Sequence, residues 1–116
     1  MSLTVSTEVR GDTLIVRLEG ELDHHTAEQV RTTVEGELDR GLTHNLVMNM
    51  EGLHFMDSSG LGMILGRYKR VTGAGGRMTL CAVNDQLMKL FEMSGLLKIV
   101  RIYPNESVAL AETGVA

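Results

Sequence analysis

Phe55-Met56-Asp57-Ser58-Ser59-Gly60-Leu61-Gly62 stands where one hydrophobic period gives way to another. Upstream, Asn45 to Met50 reads as a strand, buried from Leu46 onward. Downstream, Leu61, Ile64, Leu65, Tyr68 and Val71 share one helical face, which predicts a helix over Ser58 to Thr72. A strand that turns directly into a helix is the unit of an α/β fold. The first turn of such a helix has unpaired backbone N–H groups and the positive end of the dipole. Asp57 is the candidate N-cap. Ser58 and Ser59 place hydroxyls where an added phosphate finds donors already aimed at it. Gly60 and Gly62 are expected to keep the approach to those hydroxyls open. The junction reads as a modification and docking site.

Working toward the N-terminus, Leu3, Val5, Thr7 and Val9 alternate with polar residues, the period of a half-buried strand. Gly11-Asp12 is a two-residue turn signal, and Leu14, Val16 and Leu18 resume the alternation, so the chain opens with a hairpin. Ala27, Val30, Val34 and Leu38 then fall on one helical face, and Thr26 with Gln29 has capping-box spacing. Gly41 ends that helix.

Toward the C-terminus, Gly73-Ala74-Gly75-Gly76 stops the second helix. Met78 to Val83 is a strand, and an Asn84-capped helix runs through Ser94 with Gly95 as its terminal glycine. Ile99 to Tyr103 is a short strand. Pro104 and Asn105 open a last short helix, and the tail past Glu112 is expected to fray. The pattern β-β-α-β-α-β-α-β-α predicts a mixed sheet, parallel where strands alternate with helices, with right-handed crossovers.

A chain of 116 residues fits one domain, and with 43% hydrophobic residues it can bury a core without disulfides or a structural metal. Aromatic residues make up only 3% while methionine occurs 8 times, so the core is aliphatic with methionine as filler. The net charge of −4 argues against a nucleic-acid-binding surface and is compatible with a basic protein partner. Cys81 stands alone in an apolar strand, a buried thiol that fits a reducing compartment. Met1-Ser2-Leu3-Thr4-Val5 lacks the pattern of a signal peptide, and no apolar run approaches the length of a membrane span. A cytoplasmic location is expected.

Several chemistries are disfavoured by pattern. A serine at a strand-to-helix turn raises the possibility of a serine hydrolase. The elbow Gly-x-Ser-x-Gly is absent, because Met56 and Asp57 stand where Ser58 and Ser59 need glycine. His24, His25, His44 and His54 all precede Ser58, opposite to the order in that fold, and no spacing among them matches a zinc pattern. Gly73 to Arg77 follows a helix and precedes a strand, the reverse of a phosphate cradle. Gly60-Leu61-Gly62 lacks the third glycine of a dinucleotide fingerprint, which falls at Leu65. A small serine hydrolase or nucleotide-hydrolysing protein is the alternative reading. No metal or cofactor is called for.

Asp57-Ser58-Ser59-Gly60-Leu61-Gly62 after a short apolar strand resembles the signature of the STAS domain family, the anti-sigma factor antagonists. Gly20-Glu21-Leu22-Asp23 and Phe91-Glu92-Met93-Ser94-Gly95-Leu96 are also similar to that family, and the resemblance runs from Leu3 to about Glu112. It implies a single domain over residues 1–116 with a core of about 3–112. The implied architecture is a mixed, mostly parallel sheet with an N-terminal antiparallel hairpin and about four helices mainly on one face. It implies that the unmodified protein binds an anti-sigma factor that is also a serine kinase, displacing the sigma factor. The kinase then phosphorylates the serine after the motif aspartate, here Ser58, and a PP2C-type phosphatase reverses this. The protein would be a substrate and ligand rather than a catalyst, with no direct contact to nucleic acid or membrane. The partner-binding set so implied is Glu21, Asp23, His24, Asp57, Ser58, Ser59, Gly60, Gly62 and Gly95, with Asp23 facing an arginine of the partner.

Overall fold

The opening hairpin forms as its alternation dictates. In the computed structural model, which describes residues 2–114, β1 (Leu3–Arg10) pairs antiparallel with β2 (Thr13–Leu22). Arg10 lies opposite Thr13 across the Gly11-Asp12 turn, and Gly11 takes φ +62°, a left-handed conformation that glycine adopts without strain. β3 (Asn45–Met56), β4 (Met78–Cys81) and β5 (Arg101–Tyr103) add in parallel, giving one five-stranded sheet in the order β1-β2-β3-β4-β5. Each parallel step is bridged by a helix: α1 (Thr26–Asp39), α2 (Ser58–Gly73) and α3 (Asp85–Ser94), with α4 (Glu106–Thr113) after the last strand.

The sheet separates two cores. On one face Val30 and Val34 of α1, Met63 and Ile64 of α2, and Phe91 of α3 pack onto Leu14, Val16, Met48 and Leu80. Removing each such side chain from water contributes about 1.5–3 kcal/mol. On the other face, among the described residues, only α4 covers the sheet, through Ala109 and Leu110 against Ile15, Val47 and Cys81. Three helices on one face and a short one on the other match the expected architecture. Met48, Met50, Met56, Met63 and Met78 are all buried, as filler in an aliphatic core. Cys81 is fully buried, and desolvation pushes its thiol up to about 12. Among the described residues no helix is long and apolar enough to cross a membrane.

Several boundaries differ from expectation, each for a tertiary reason. β3 runs beyond Met50 to Met56, because two register shifts, each with an extra residue on β3, let Gly20, Glu21 and Leu22 pair with Leu53, Phe55 and Met56. β4 ends at Cys81 rather than Val83, since Ala82 takes φ +58° and leaves the strand. β5 begins at Arg101: Gly95 (φ +81°) leads into a 3-10 turn at Leu96–Lys98, and the Ile99 and Val100 amides both donate back to Leu96 O at 3.0 Å. The tail does not fray at Glu112. Thr113 is buried with its hydroxyl 3.0 Å from that of Thr79, and Gly114 caps α4 in the left-handed region. The expected fraying beyond that falls on Val115 and Ala116, outside the described residues.

Candidate functional site

The lengthened β3 delivers the serine motif to the end of the sheet beside the β2–α1 loop. Met56 pairs with Leu22, and the Asp57 amide donates to Leu22 O at 3.2 Å. Asp57 is the N-cap of α2 in extended conformation (φ −108°), and its Oδ1 accepts from the Ser59 amide at 2.9 Å. Its Oδ2 accepts from the His24 amide at 3.1 Å. One carboxylate therefore ties the start of α2 to the start of α1. Ser58, the first residue of α2, is exposed, and among the described residues its hydroxyl makes no hydrogen bond. Ser59 is half-buried.

The anion-receptive helix start is thus partly filled by the chain's own acid. Asp57 takes the Ser59 amide, and the Gly60 amide donates to Asp57 O at 3.1 Å. A group added to Ser58 would lie beside a carboxylate, not in an empty cradle.

Asp23 has a task within the chain's own loop. Its Oδ1 accepts from the amides of His25 and Thr26 at 2.9 and 3.0 Å, while Thr26 Oγ accepts from the Asp23 amide at 2.9 Å. This is a capping box between Asp23 and Thr26, displaced from the Thr26–Gln29 pair that spacing suggested. Thr26 Oγ also donates to Glu21 O at 2.7 Å, which fixes the loop to the strand it leaves. The Thr26 amide, more than desolvation opposes it, holds the Asp23 carboxyl below its ordinary value. Only 8% of Asp23 is exposed, so its first role is to cap α1.

The two glycines of the motif face opposite ways. Gly60 is buried, and a Cβ there would lie 2.5 Å from Met56 Cγ and 3.0 Å from Leu22 Cδ2. It brings α2 close to the sheet and does not open the approach to the serines. Gly62 is exposed with nothing within 4 Å of a built Cβ. Glu21 is half-buried and accepts the Ser2 amide at 3.3 Å, and His24 is exposed. Gly95 lies apart from this cluster in sequence and role: it ends α3 in the left-handed region, whereas the Asn84 side chain at the other end of that helix reaches Leu53 O.

Sequence reading missed a groove between α1 and α2, with a volume of ≈ 580 Å³, that begins at the motif. Ser59, Gly62, Met63 and Arg67 form its α2 wall, and His24, Ala27, Glu28 and Arg31 its α1 wall. Each set repeats every three or four residues, the spacing of one helical face, so the signal was present in each helix alone. Behind the groove an ion network joins the helices. Glu35 Oε1 accepts from Arg70 Nη1 at 2.7 Å, and Arg70 Nη2 reaches Asp39 Oδ1 at 2.7 Å. Arg67 Nε forms an ion pair with Glu35 Oε2 at 2.9 Å, out of line for a hydrogen bond, and among the described residues the buried Arg67 Nη1 has no hydrogen-bond partner. Burial lowers the Arg67 pKa below its ordinary value, opposed by the nearby Glu35 charge.

His24, His25, His44 and His54 are exposed, and no Ser58 or Ser59 hydroxyl bonds to an imidazole among the described residues. No three His, Cys, Asp or Glu side chains among those residues are grouped to hold a metal ion.

A mixed sheet with this strand order, an aspartate-capped serine at the start of its second helix and helices mainly on one face define the class. The chain belongs to the STAS domain family, whose model matches residues 4–109. It is 48% identical to the anti-sigma F factor antagonist of Paenibacillus polymyxa, over 99% of this chain and 98% of that one. Among solved structures it is similar to the anti-sigma factor antagonist SpoIIAA in its unphosphorylated form: 30% identity, TM-score 0.75, 94% of this chain and 96% of that one. It is equally similar to the Bacillus cell fate determinant SpoIIAA in the phosphorylated form, with 34% identity, TM-score 0.76 and coverage of 94% and 98%.

Proposed function

We propose that this chain is an anti-sigma factor antagonist acting in the cytoplasm. Its unmodified form binds an anti-sigma factor serine kinase and frees the sigma factor, sigma F of sporulation by kinship with the Paenibacillus relative. Phosphorylation of Ser58 ends the binding, and a PP2C-type phosphatase restores it. The chain is then a ligand and substrate without catalysis of its own. The observation that carries this reading is Ser58 itself: an exposed hydroxyl with no protein hydrogen bond among the described residues, on a helix start made rigid by Asp57.

Phosphate adds about −1.5 to −2 charges at neutral pH. Next to Asp57, whose carboxylate already occupies the Ser59 amide, that charge is only partly offset by the helix dipole. A partner fitted to a small neutral hydroxyl then meets a bulky dianion, and binding weakens with no need for the fold to change. Structures of SpoIIAA in both states match this chain with TM-scores of 0.75 and 0.76, which supports a switch of surface rather than of fold. The hydrolase reading draws no support from the serines, since among the described residues neither the Ser58 nor the Ser59 hydroxyl bonds to an imidazole.

The test is incubation with the cognate kinase and ATP, followed by mass spectrometry and calorimetry at matched salt. Wild type gains one phosphate on Ser58 and loses affinity, whereas Ser58→Ala gains none and stays competent to bind. Phosphate on the alanine variant would move the site elsewhere. Undiminished binding by phosphorylated wild type would remove the switch, and turnover by the isolated chain would favour the enzyme.

A further inference from the structure

The arginines of this chain fall into two sets. Arg10, Arg17, Arg31, Arg40, Arg67 and Arg70 each stand within ion-pair distance of a carboxylate. Arg77 and Arg101 are exposed, and among the described residues neither guanidinium meets a carboxylate or makes a hydrogen bond. Both line one concavity of ≈ 530 Å³ where β4 and β5 begin. Tyr68 and Tyr103, the chain's two tyrosines, line it as well, and among the described residues their hydroxyls are also without partners. A protein of net charge −4 thus gathers its unpaired guanidiniums in one place.

The backbone holds this arrangement. Gly76 passes so close to β3 that a Cβ there would collide with His44 O, and the Arg77 amide donates to Asn45 Oδ1 at 2.9 Å. Arg77 therefore has a fixed backbone and a free side chain. Arg101 lies opposite Thr79 in the parallel ladder, two residues beyond Arg77. Strand spacing and rise then set the two arginine Cα atoms roughly 8 Å apart, so one small ligand can touch both side chains. Ser58 is remote, since about 15 Å of α2 separates it from Tyr68.

We infer that this concavity is a binding site for a small organic anion that carries phosphate or carboxylate groups. A guanidinium holds either oxyanion through parallel N–H groups. The hydroxyls of Tyr68 and Tyr103 add two donors, and Ile99 adds an apolar wall. Among the described residues Glu112 is the only carboxylate of the lining, an acceptor for a hydroxyl or amino group on the same molecule. The volume lies within the range of about 300–1,000 Å³ that small-molecule sites occupy. This site stands apart from the proposed switch, because it requires neither Ser58 nor the anti-sigma factor.

Thermal melts and NMR titrations of the full chain test it, with inorganic phosphate and citrate as probes and sodium chloride at matched ionic strength as the control. At least one probe should raise the melting temperature saturably, as binding to the folded state does. The same probe should shift the side-chain Nε–H signals of Arg77 and Arg101. The probe that saturates at the lower concentration names the anion class. Arg77→Gln and Arg101→Gln each remove a donor that bonds nothing in the free chain, so both should melt like wild type without the probe. Each should bind the probe roughly tenfold more weakly, as loss of a charged hydrogen bond does. Glu112→Gln removes a like charge and should bind it about threefold more tightly. Arg40→Gln makes the same change of net charge outside the site, and it should bind like wild type, as should Ser58→Ala. A response to chloride equal to that of both probes, or no saturable response to either, overturns the site. So does weakening in Arg40→Gln equal to that in the two site variants, or loss of binding in Ser58→Ala.

Discussion

The Asp57 carboxylate holds the His24 amide at 3.1 Å across a separation of 33 residues in the chain, while its other oxygen caps α2 through Ser59 at 2.9 Å. Ser58 therefore stands on a helix whose first turn is tied to the neighbouring loop. A partner that docks on both finds them already in place, so little ordering entropy opposes binding.

Asp57→Ala removes both acceptors and should destabilise the protein by about 0.5–2 kcal/mol, the range for loss of an N-cap. Asp57→Asn separates the two bonds. Its side-chain oxygen can still cap Ser59, but its NH₂ then faces the His24 N–H, two donors with nothing between them. Amide exchange followed by NMR should show His24 losing protection in both variants and Ser59 only in the alanine one. Equal loss at Ser59 in both would mean that the cap does not depend on a single oxygen.

Gly60 and Gly62 should respond to alanine with opposite signs. In Gly60→Ala the new methyl meets Met56 and Leu22 at 2.5 and 3.0 Å, and overpacking of about 1–3 kcal/mol outweighs the gain in helix propensity. In Gly62→Ala the methyl meets open space, and the gain of up to about 1 kcal/mol from leaving glycine is realised in full. Thermal melts of the two variants check this. A stabilised Gly60→Ala would mean that Met56 moves aside at no cost.

Among the described residues the second face of the sheet depends on a single helix, and its anchor is ionic. Glu106 at the start of α4 receives Arg17 Nε and Nη2, both at 2.8 Å, and Asn49 Nδ2 at 3.0 Å. The Arg17 guanidinium, more than desolvation opposes it, holds the Glu106 carboxyl below its ordinary value. A depressed folded-state pKa gives stability that is present above the unfolded value, near 4.5, and is lost as pH falls through the folded one. Glu106→Gln should therefore lower stability at pH 7 by about 1–2 kcal/mol, between an exposed ion pair and a charged hydrogen bond. The difference from wild type should shrink steadily below pH 4.5. A gap that stays constant down to acid denaturation would remove the carboxylate as its cause.

Features set by a few adjacent residues were legible in the chain. Asp57, Asn84 and Gly95 cap their helices as their types suggest, and Gly11-Asp12 turns the hairpin. What escaped depends on distant partners. The extension of β3 through Glu51, His54 and Phe55 carries three exposed side chains, so its apolar signal stops at Met50 although its backbone pairs with β2 to Met56. Asp23–Thr26 and Thr26–Gln29 have the same spacing, and the bonds of Thr26 to the Asp23 amide, the Asp23 carboxylate and Glu21 O commit it to the first. Gly60 and Gly62 look alike in sequence, and the position of the sheet decides which is buried. Arg67 reads as the polar side of an amphipathic helix until α1 packs beside it.

Gly62→Asp tests whether the face beside Ser58 meets the partner. The substitution lies one turn along α2 from the serine, at an exposed position where a side chain meets nothing within 4 Å. Asp is a better helix residue than glycine, so the melting temperature should stay within a few degrees of wild type. The new carboxylate enters the mouth of the groove and adds negative charge beside Asp57, against any partner group shaped to the bare helix. Binding to the anti-sigma factor should fall by roughly tenfold or more, as a like-charge or unpaired group at an interface costs several kcal/mol. Phosphorylation by the kinase should fall with it, since both require the same docking. A folded Gly62→Asp that binds and is phosphorylated like wild type would move the interface off this face of α2. A variant that melts far below wild type would show that Gly62 packs more tightly than its open surroundings indicate.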